Sequence, residues 1–158
     1  MNEPPEGVRH GEGSGHPPLH PLEILKAHFQ TGDKFASHCG MELVSLAAGH
    51  AVTRMAIQPW HRNAVGIVQG GAIFTLADFA FGAASNSQGR VAVGVNVGIT
   101  YVKAAKVGVI TAEAREVAAT PKLATYTVNV TDEGGQLLAV FQGLAYIKKE
   151  THKAATST

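Results

Sequence analysis

Cysteine occurs once in the 158 residues, at Cys39, so no intramolecular disulfide can form and the framework of a small secreted protein is excluded. A reducing compartment, the cytoplasm, is expected. Charge of one sign is also missing: 13 Lys and Arg stand against 12 Asp and Glu, a net charge of +1 at pH 7. A protein held mainly by nucleic-acid phosphates needs a basic surface, so no nucleic-acid partner is expected. Long apolar runs are absent as well. The N-terminus carries no apolar h-region, and the longest uncharged stretch, Asn63 to Ala77, contains Asn63, Gln69 and three glycines. That is a poor membrane span, and no membrane partner is expected.

What is present suits one globular domain. With 45% hydrophobic and 16% charged residues, the chain can bury one sizeable core but hardly two. Residues 1–19 are crowded with Pro, Gly, His and Glu and lack the large apolar side chains whose burial offsets the entropy of ordering, so a disordered tail is expected there. The domain is expected over residues 20–149, and a flexible C-terminus over 150–158. From Pro21, the run Leu22, Ile24, Leu25, Ala27, His28 and Phe29 fits a short amphipathic helix with Gly32 near its end. Alternating segments Met41 to Ala47 and Ala51 to Ile57, separated by Ala48, Gly49 and His50, predict a hairpin.

Between Gly70 and Asn86 nearly every position is apolar or small, over a length too great for one strand. This predicts a helix buried on all sides. Four β-rich stretches follow: Val91 to Val102, Val107 to Ala118, Lys122 to Thr131 and Gln136 to Lys148. Asp132, Glu133, Gly134 and Gly135 supply a hairpin turn between the last two. One long helix wrapped by an antiparallel sheet, an α+β architecture, is the simplest arrangement that buries both sets of apolar residues.

Asp78 is the only charged residue between Asn63 and Gly89. A carboxylate in so apolar a segment needs a partner or has a task, because desolvation is one way proteins tune a carboxylate's basicity. The alternatives are capping of a neighbouring backbone or an ion pair with Arg62 or Arg90. Upstream, Gly70 and Gly71 stand at the expected start of the helix. Unpaired N–H groups and the positive end of the helix dipole meet there, and glycine allows a ligand oxygen to approach. These are the ingredients of an oxyanion site. A Walker loop and a dinucleotide fingerprint are both excluded by the residues around the glycines. Gly70 and Asp78 are eight residues apart, roughly 12 Å along a helix axis. Both acting on one carbonyl carbon would therefore require two subunits and a site at a dimer interface.

Asn63-x-x-Gly66-x-x-Gln69-Gly70-Gly71 followed by Leu76-Ala77-Asp78 resembles the N-x-x-G-x-x-H-G-G…L-A-D signature of PaaI-like hotdog-fold acyl-CoA thioesterases. The resemblance extends over roughly residues 21 to 148, taking in His38 to Leu43 before the first strand and Asn96 to Tyr101 after the helix. It implies a hotdog fold, acyl-CoA as substrate, no metal or other cofactor, and homodimers commonly paired again into homotetramers. Carried over by residue, it implies that Asp78 is the nucleophile or general base and that Gly70 donates its backbone N–H to the thioester oxygen of the neighbouring chain's site. Asn63 would orient water or the carboxylate, with Gly71, Gln69 and Gly66 forming the substrate-binding surround. Two departures stand out. The family histidine before the glycine pair is Gln69, which cannot carry a proton at neutral pH. The Ser or Thr that some members place beside the carboxylate is replaced at the corresponding positions by Gly82 and Gly94.

Other features carry less. His16 and His20 have i, i+4 spacing, but Pro17 and Pro18 lie between them and no Asp or Cys completes a ligand set, so no metal is expected. Cys39 reads as a small buried hydrophobe. Trp60 and His61 either line an acyl pocket or anchor a loop. Lys103, Lys106 and Lys122 fit a charged sheet edge as well as contacts to CoA phosphates. A hydroxyacyl thioester dehydratase would want a histidine paired with an acid, and none occurs from Arg62 through Lys149. A hotdog protein that binds acyl-CoA without turnover is kept open by Gln69.

Overall fold

The computed structural model describes residues 21–153; the expected tail at 1–19, with His16 and His20, lies outside them, as do residues 154–158. In chain order the elements are α1 (Pro21–Gly32), α2 (Lys34–His38), β1 (Met41–Ala47), β2 (His50–Ala56), a 3-10 turn (Pro59–His61), α3 (Gly70–Asn86), β3 (Arg90–Tyr101), β4 (Val109–Ala119), β5 (Leu123–Thr131) and β6 (Leu137–Thr151). The strands form one antiparallel sheet in the order β1-β2-β4-β5-β6-β3. α3 packs along its concave face, which is the hotdog arrangement expected from the sequence.

Small side chains bring the helix close to the sheet. Ala77, Ala80, Ala83 and Ala84 of α3 are buried with Ile73, Leu76 and Phe79, against Met55, Ile110, Ala112, Ala114, Val128, Val130 and Phe141 from the strands. Contacts this dense lose dispersion energy whenever an atom is removed. Phe81 is the largest wedge in this layer. A Cβ built at Gly143 would stand 2.7 Å from its ring, and one at Gly94 would stand 3.1 Å away. Both strands therefore need glycine where the ring crosses them. Thr53, fully buried on β2, satisfies its hydroxyl by donating to the Leu76 carbonyl at 3.0 Å.

The helix is not buried on all sides, which corrects the expectation from its composition. Gly71 and Asp78 are exposed, and Phe74, Thr75, Gly82 and Ser85 are only half-buried. Positions 71, 75, 78, 82 and 85 share one side of a 3.6-residue helix. A single sheet covers the other sides and leaves this stripe open.

Local chemistry accounts for the ends of the elements. Asp33 caps α2, its carboxylate accepting from Ala36 N–H at 2.9 Å, and the β1–β2 turn narrows to Ala48 and Gly49, with Gly49 at φ +66°. At the β5–β6 turn, Asp132 accepts from Gly134 and Gln136 N–H while Gly135 takes φ +78°. β6 runs on through Glu150 and Thr151, residues expected in a flexible C-terminus. The pairing Arg90↔Thr151 and the bond from His152 N–H to the Gly89 carbonyl hold them. Buried Asn86 completes the junction: its amide donates to the Gly82 and Ala92 carbonyls, and its oxygen accepts from Ala92 N–H and His152 Nε2. β3 forms one edge of the sheet, with Val93, Val95 and Val97 exposed along it.

Candidate active site

The loop from Gln58 to Gln69 delivers the first turn of α3, and three features hold it. His61 is buried, with its Nδ1 accepting from Gln58 N–H at 3.0 Å and its Nε2 donating to the Cys39 carbonyl at 3.0 Å. Those partners fix the neutral Nε2–H tautomer and make His61 a strut. Its own carbonyl accepts from Gln69 N–H at 2.8 Å, and Val68 N–H donates to Ala105 O at 2.9 Å.

Asn63 organises the middle of the loop. Its Oδ1 accepts from Val65 and Ile67 N–H at 3.1 and 3.3 Å, while Gly66, at φ +79°, returns its N–H to the Asn63 carbonyl at 3.0 Å. A Cβ at Gly66 would meet nothing within 4 Å, so this glycine is required by its backbone conformation rather than by crowding. The Asn63 side-chain NH2 donates to no acceptor among the described residues.

At the helix start, Gln69 is the N-cap: its Oε1 accepts from Ala72 N–H at 3.3 Å. The N–H groups of Gly70 and Gly71 donate to no acceptor among the described residues, which leaves two parallel donors at the positive end of the dipole. A Cβ at Gly71 would lie 2.6 Å from Gln69 Oε1, and one at Gly70 would lie 3.0 Å from the Tyr101 ring. Two cavities flank this turn. One, about 350 Å³, is lined by Asn63, Ile67, Gly70, Ile73, Tyr101 and Lys103 among others. The other, about 490 Å³, includes Phe35, Trp60, Gln69, Gly71 and Thr75 in its wall. Phe35 and Trp60 are 62% and 72% exposed there, an unusual outlay of aromatic surface.

Asp78 lies two turns along the open stripe from Gly71. It makes no hydrogen bond or ion pair with any described residue. Arg90, one of its candidate partners, instead donates to the Lys148 carbonyl at 2.7 Å. Although Asp78 reaches solvent, the surrounding protein withholds part of its hydration. That burial, followed by the nearby Asp33 carboxylate, raises its pKa above the ordinary 3.8. The result is an unpaired carboxylate that is more basic than usual.

The structure thus brings Asn63, Gly66, Gln69, Gly70 and Gly71 together and places Asp78 on another part of the same helix. Sequence reasoning missed Tyr101, whose hydroxyl donates to the Gly70 carbonyl at 2.7 Å, and it missed Asp33. An Asp before a helical turn was the available signal for the latter. No group of three or more potential metal-ligating side chains gathers among the described residues, and no helix there is long and apolar enough to cross a membrane.

Comparison with known proteins agrees with the fold. Residues 65–139 match the Thioesterase superfamily model. A protein of Archaeoglobus fulgidus that carries an esterase name is 37% identical over 126 residues, covering 79% of this chain and 82% of its own. The acyl-coenzyme A thioesterase PaaI of Escherichia coli is 29% identical over 115 residues, covering 72% of this chain and 82% of its own. The structure of the E. coli PaaI protein superposes with a TM-score of 0.77 over 84% of this chain and 99% of that one, at 26% identity. A Streptococcus mutans structure bound to acetyl CoA gives a TM-score of 0.68 over 71% of this chain and 91% of its own, at 27% identity.

Proposed function

We propose a reaction from one premise: the chain belongs to the hotdog-fold thioesterase superfamily and is closely related to the PaaI-type acyl-CoA thioesterases. It is a thioester hydrolase acting on acyl-CoA thioesters, and our reading assigns aryl- or medium-chain acyl-CoA as substrate and Asp78 as the catalytic carboxylate. The observation that carries the assignment is the unpaired, pKa-raised Asp78 on the one stripe of α3 that the sheet leaves open. Water adds to the carbonyl carbon, the carbon–sulfur bond breaks, and the products are the free acid and the CoA thiol. Asp78 takes the proton of the attacking water, or attacks first and forms an anhydride that water opens. Negative charge growing on the carbonyl oxygen is met by the Gly70 N–H.

In this reading the free NH2 of Asn63 orients water or the carboxylate, Gln69 and Gly71 border the substrate, and Gly66 shapes the loop that presents them. The exposed Phe35 and Trp60 favour an acyl group with a flat or extended apolar body. Gly70 and Asp78 stand roughly 12 Å apart along one helix, so the working site pairs Gly70 of one chain with Asp78 of a second. The free edge of β3 with its exposed valines supports a homodimer at least, and two such dimers would make the homotetramer. The free thiol of Cys39 suits the cytoplasm.

The test is thiol release from a panel of aryl- and fatty-acyl-CoAs, run beside Asp78→Asn. Hydrolysis that requires Asp78 supports the reading and names the substrate class. Acyl-CoA binding without thiol release would move the protein to a non-catalytic binder.

A further inference from the structure

We infer that Tyr101 is a positioning residue for thioester activation, its phenol fixing and polarising the Gly70–Gly71 peptide so that the Gly71 N–H joins the Gly70 N–H as an oxyanion donor. The inference rests on the thioesterase reading above and adds a residue to it.

Tyr101 ends β3, where its pairing with Ala139 and the bond from Val102 N–H to the Leu138 carbonyl at 2.8 Å hold the backbone. From there its hydroxyl spans 31 residues of sequence to donate to the Gly70 carbonyl at 2.7 Å. The contact is steric as well as polar, because a Cβ at Gly70 would come within 3.0 Å of both Cζ and Oη of the phenol. Glycine at 70 and tyrosine at 101 are therefore a matched pair.

The chemistry follows from which carbonyl belongs to which donor. The Gly70 N–H is part of the peptide whose carbonyl is that of Gln69, and that oxygen accepts from Ala72 and Ile73 N–H at 2.9 and 3.4 Å. The Gly71 N–H is part of the peptide whose carbonyl is that of Gly70, and Tyr101 donates there. A hydrogen bond into a peptide oxygen draws electron density away from the same peptide's nitrogen and strengthens its N–H as a donor. Both free N–H groups are thus polarised from behind by helix hydrogen bonds, and the Gly71 N–H gains a second contribution from Tyr101 on the Gly70 carbonyl. Burial raises the phenol's pKa, so it stays a protonated donor and transfers no proton itself.

The full-length protein separates this role from a structural one. With an acyl-CoA that the wild type hydrolyses, Tyr101→Phe should lower kcat roughly tenfold, less than loss of a direct oxyanion donor. KM should change by no more than about twofold, and Tm should not move. 3-Fluorotyrosine at 101 keeps the shape and makes a more acidic phenol, so kcat should return to the wild-type value or above it. A Phe variant with wild-type kcat, or a fluorotyrosine variant no faster than Phe, overturns the inference. Should the wild type need Asp78 while Tyr101→Phe is unimpaired, the Tyr101 inference alone fails; a wild type that releases no thiol takes both readings down.

Discussion

The two sides of α3 follow different rules. Toward the sheet, Ile73, Leu76, Ala77, Ala80 and Ala84 are packed to near-complete burial, and each is about the size its slot allows. Toward solvent, the same 17 residues present Gly71, Thr75, Asp78, Gly82 and Ser85, small or polar groups that leave space beside one unpaired carboxylate. The hydroxyls of Thr75 and Ser85 turn back onto the helix, donating to the Gly71 and Gly82 carbonyls at 2.8 and 3.1 Å, which leaves Asp78 the stripe's only charge. The packed side supplies stability; the open side keeps a costly unpaired carboxylate, the group to which our proposal gives the chemistry.

Paired substitutions should break that contrast most visibly. Asp78→Asn should reduce thiol release at least about a hundredfold, the scale of a lost general base, while Tm stays level or rises. The sign follows from the raised pKa: the folded state holds the Asp78 proton more tightly than the unfolded chain, so ionisation above pH 3.8 works against folding, and a neutral amide removes that penalty. Leu76→Ala, less than one turn away but facing the sheet, should cost about 2–5 kcal/mol of stability by denaturant unfolding. Intermediate in size is Gly143→Ala, whose added methyl must displace the Phe81 ring at about 1–3 kcal/mol, the range for overpacking.

Smaller effects sharpen the account. Asp33 raises the pKa of Asp78, so Asp33→Ser, which keeps a capping oxygen for Ala36 N–H, should shift the acid limb of the kcat/KM profile to lower pH. A profile that does not move would remove Asp33 from the site's electrostatics. At the far end of α3, burial and then His28 lower the pKa of His152. The unfolded chain binds that proton more readily, so His152 contributes a loss of stability as pH falls below 6.5 toward its folded value. Thermal unfolding of His152→Gln should depend less steeply on pH across that window.

Much of this was legible in the sequence because it is periodic or local. The limits of α3 follow from a stretch between Gly70 and Asn86 that is small or apolar at nearly every position, and the Asp132 to Gly135 turn from residues that make their own hydrogen bonds. The five-residue α2 has too few positions to show a period, although its capping Asp33 was a signal. The open stripe was hidden because Gly71 and Gly82 suit a crowded core as well as an empty groove. Tyr101 in a β-rich run reads as an ordinary strand former, and only the fold carries it to Gly70. Gln69 was ambiguous as donor or acceptor until its Oε1 was found on Ala72 N–H.

The central claim is that one active site draws Gly70 from one chain and Asp78 from another. Mixing Asp78→Asn subunits with Gly70→Val subunits, each inactive alone, and assaying the re-formed heterodimers for thiol release tests it directly. The account predicts recovered activity in proportion to the heterodimer fraction, since each such dimer retains one intact pairing of Gly70 with Asp78. Heterodimers that form but stay at the level of either parent would contradict a site shared between chains.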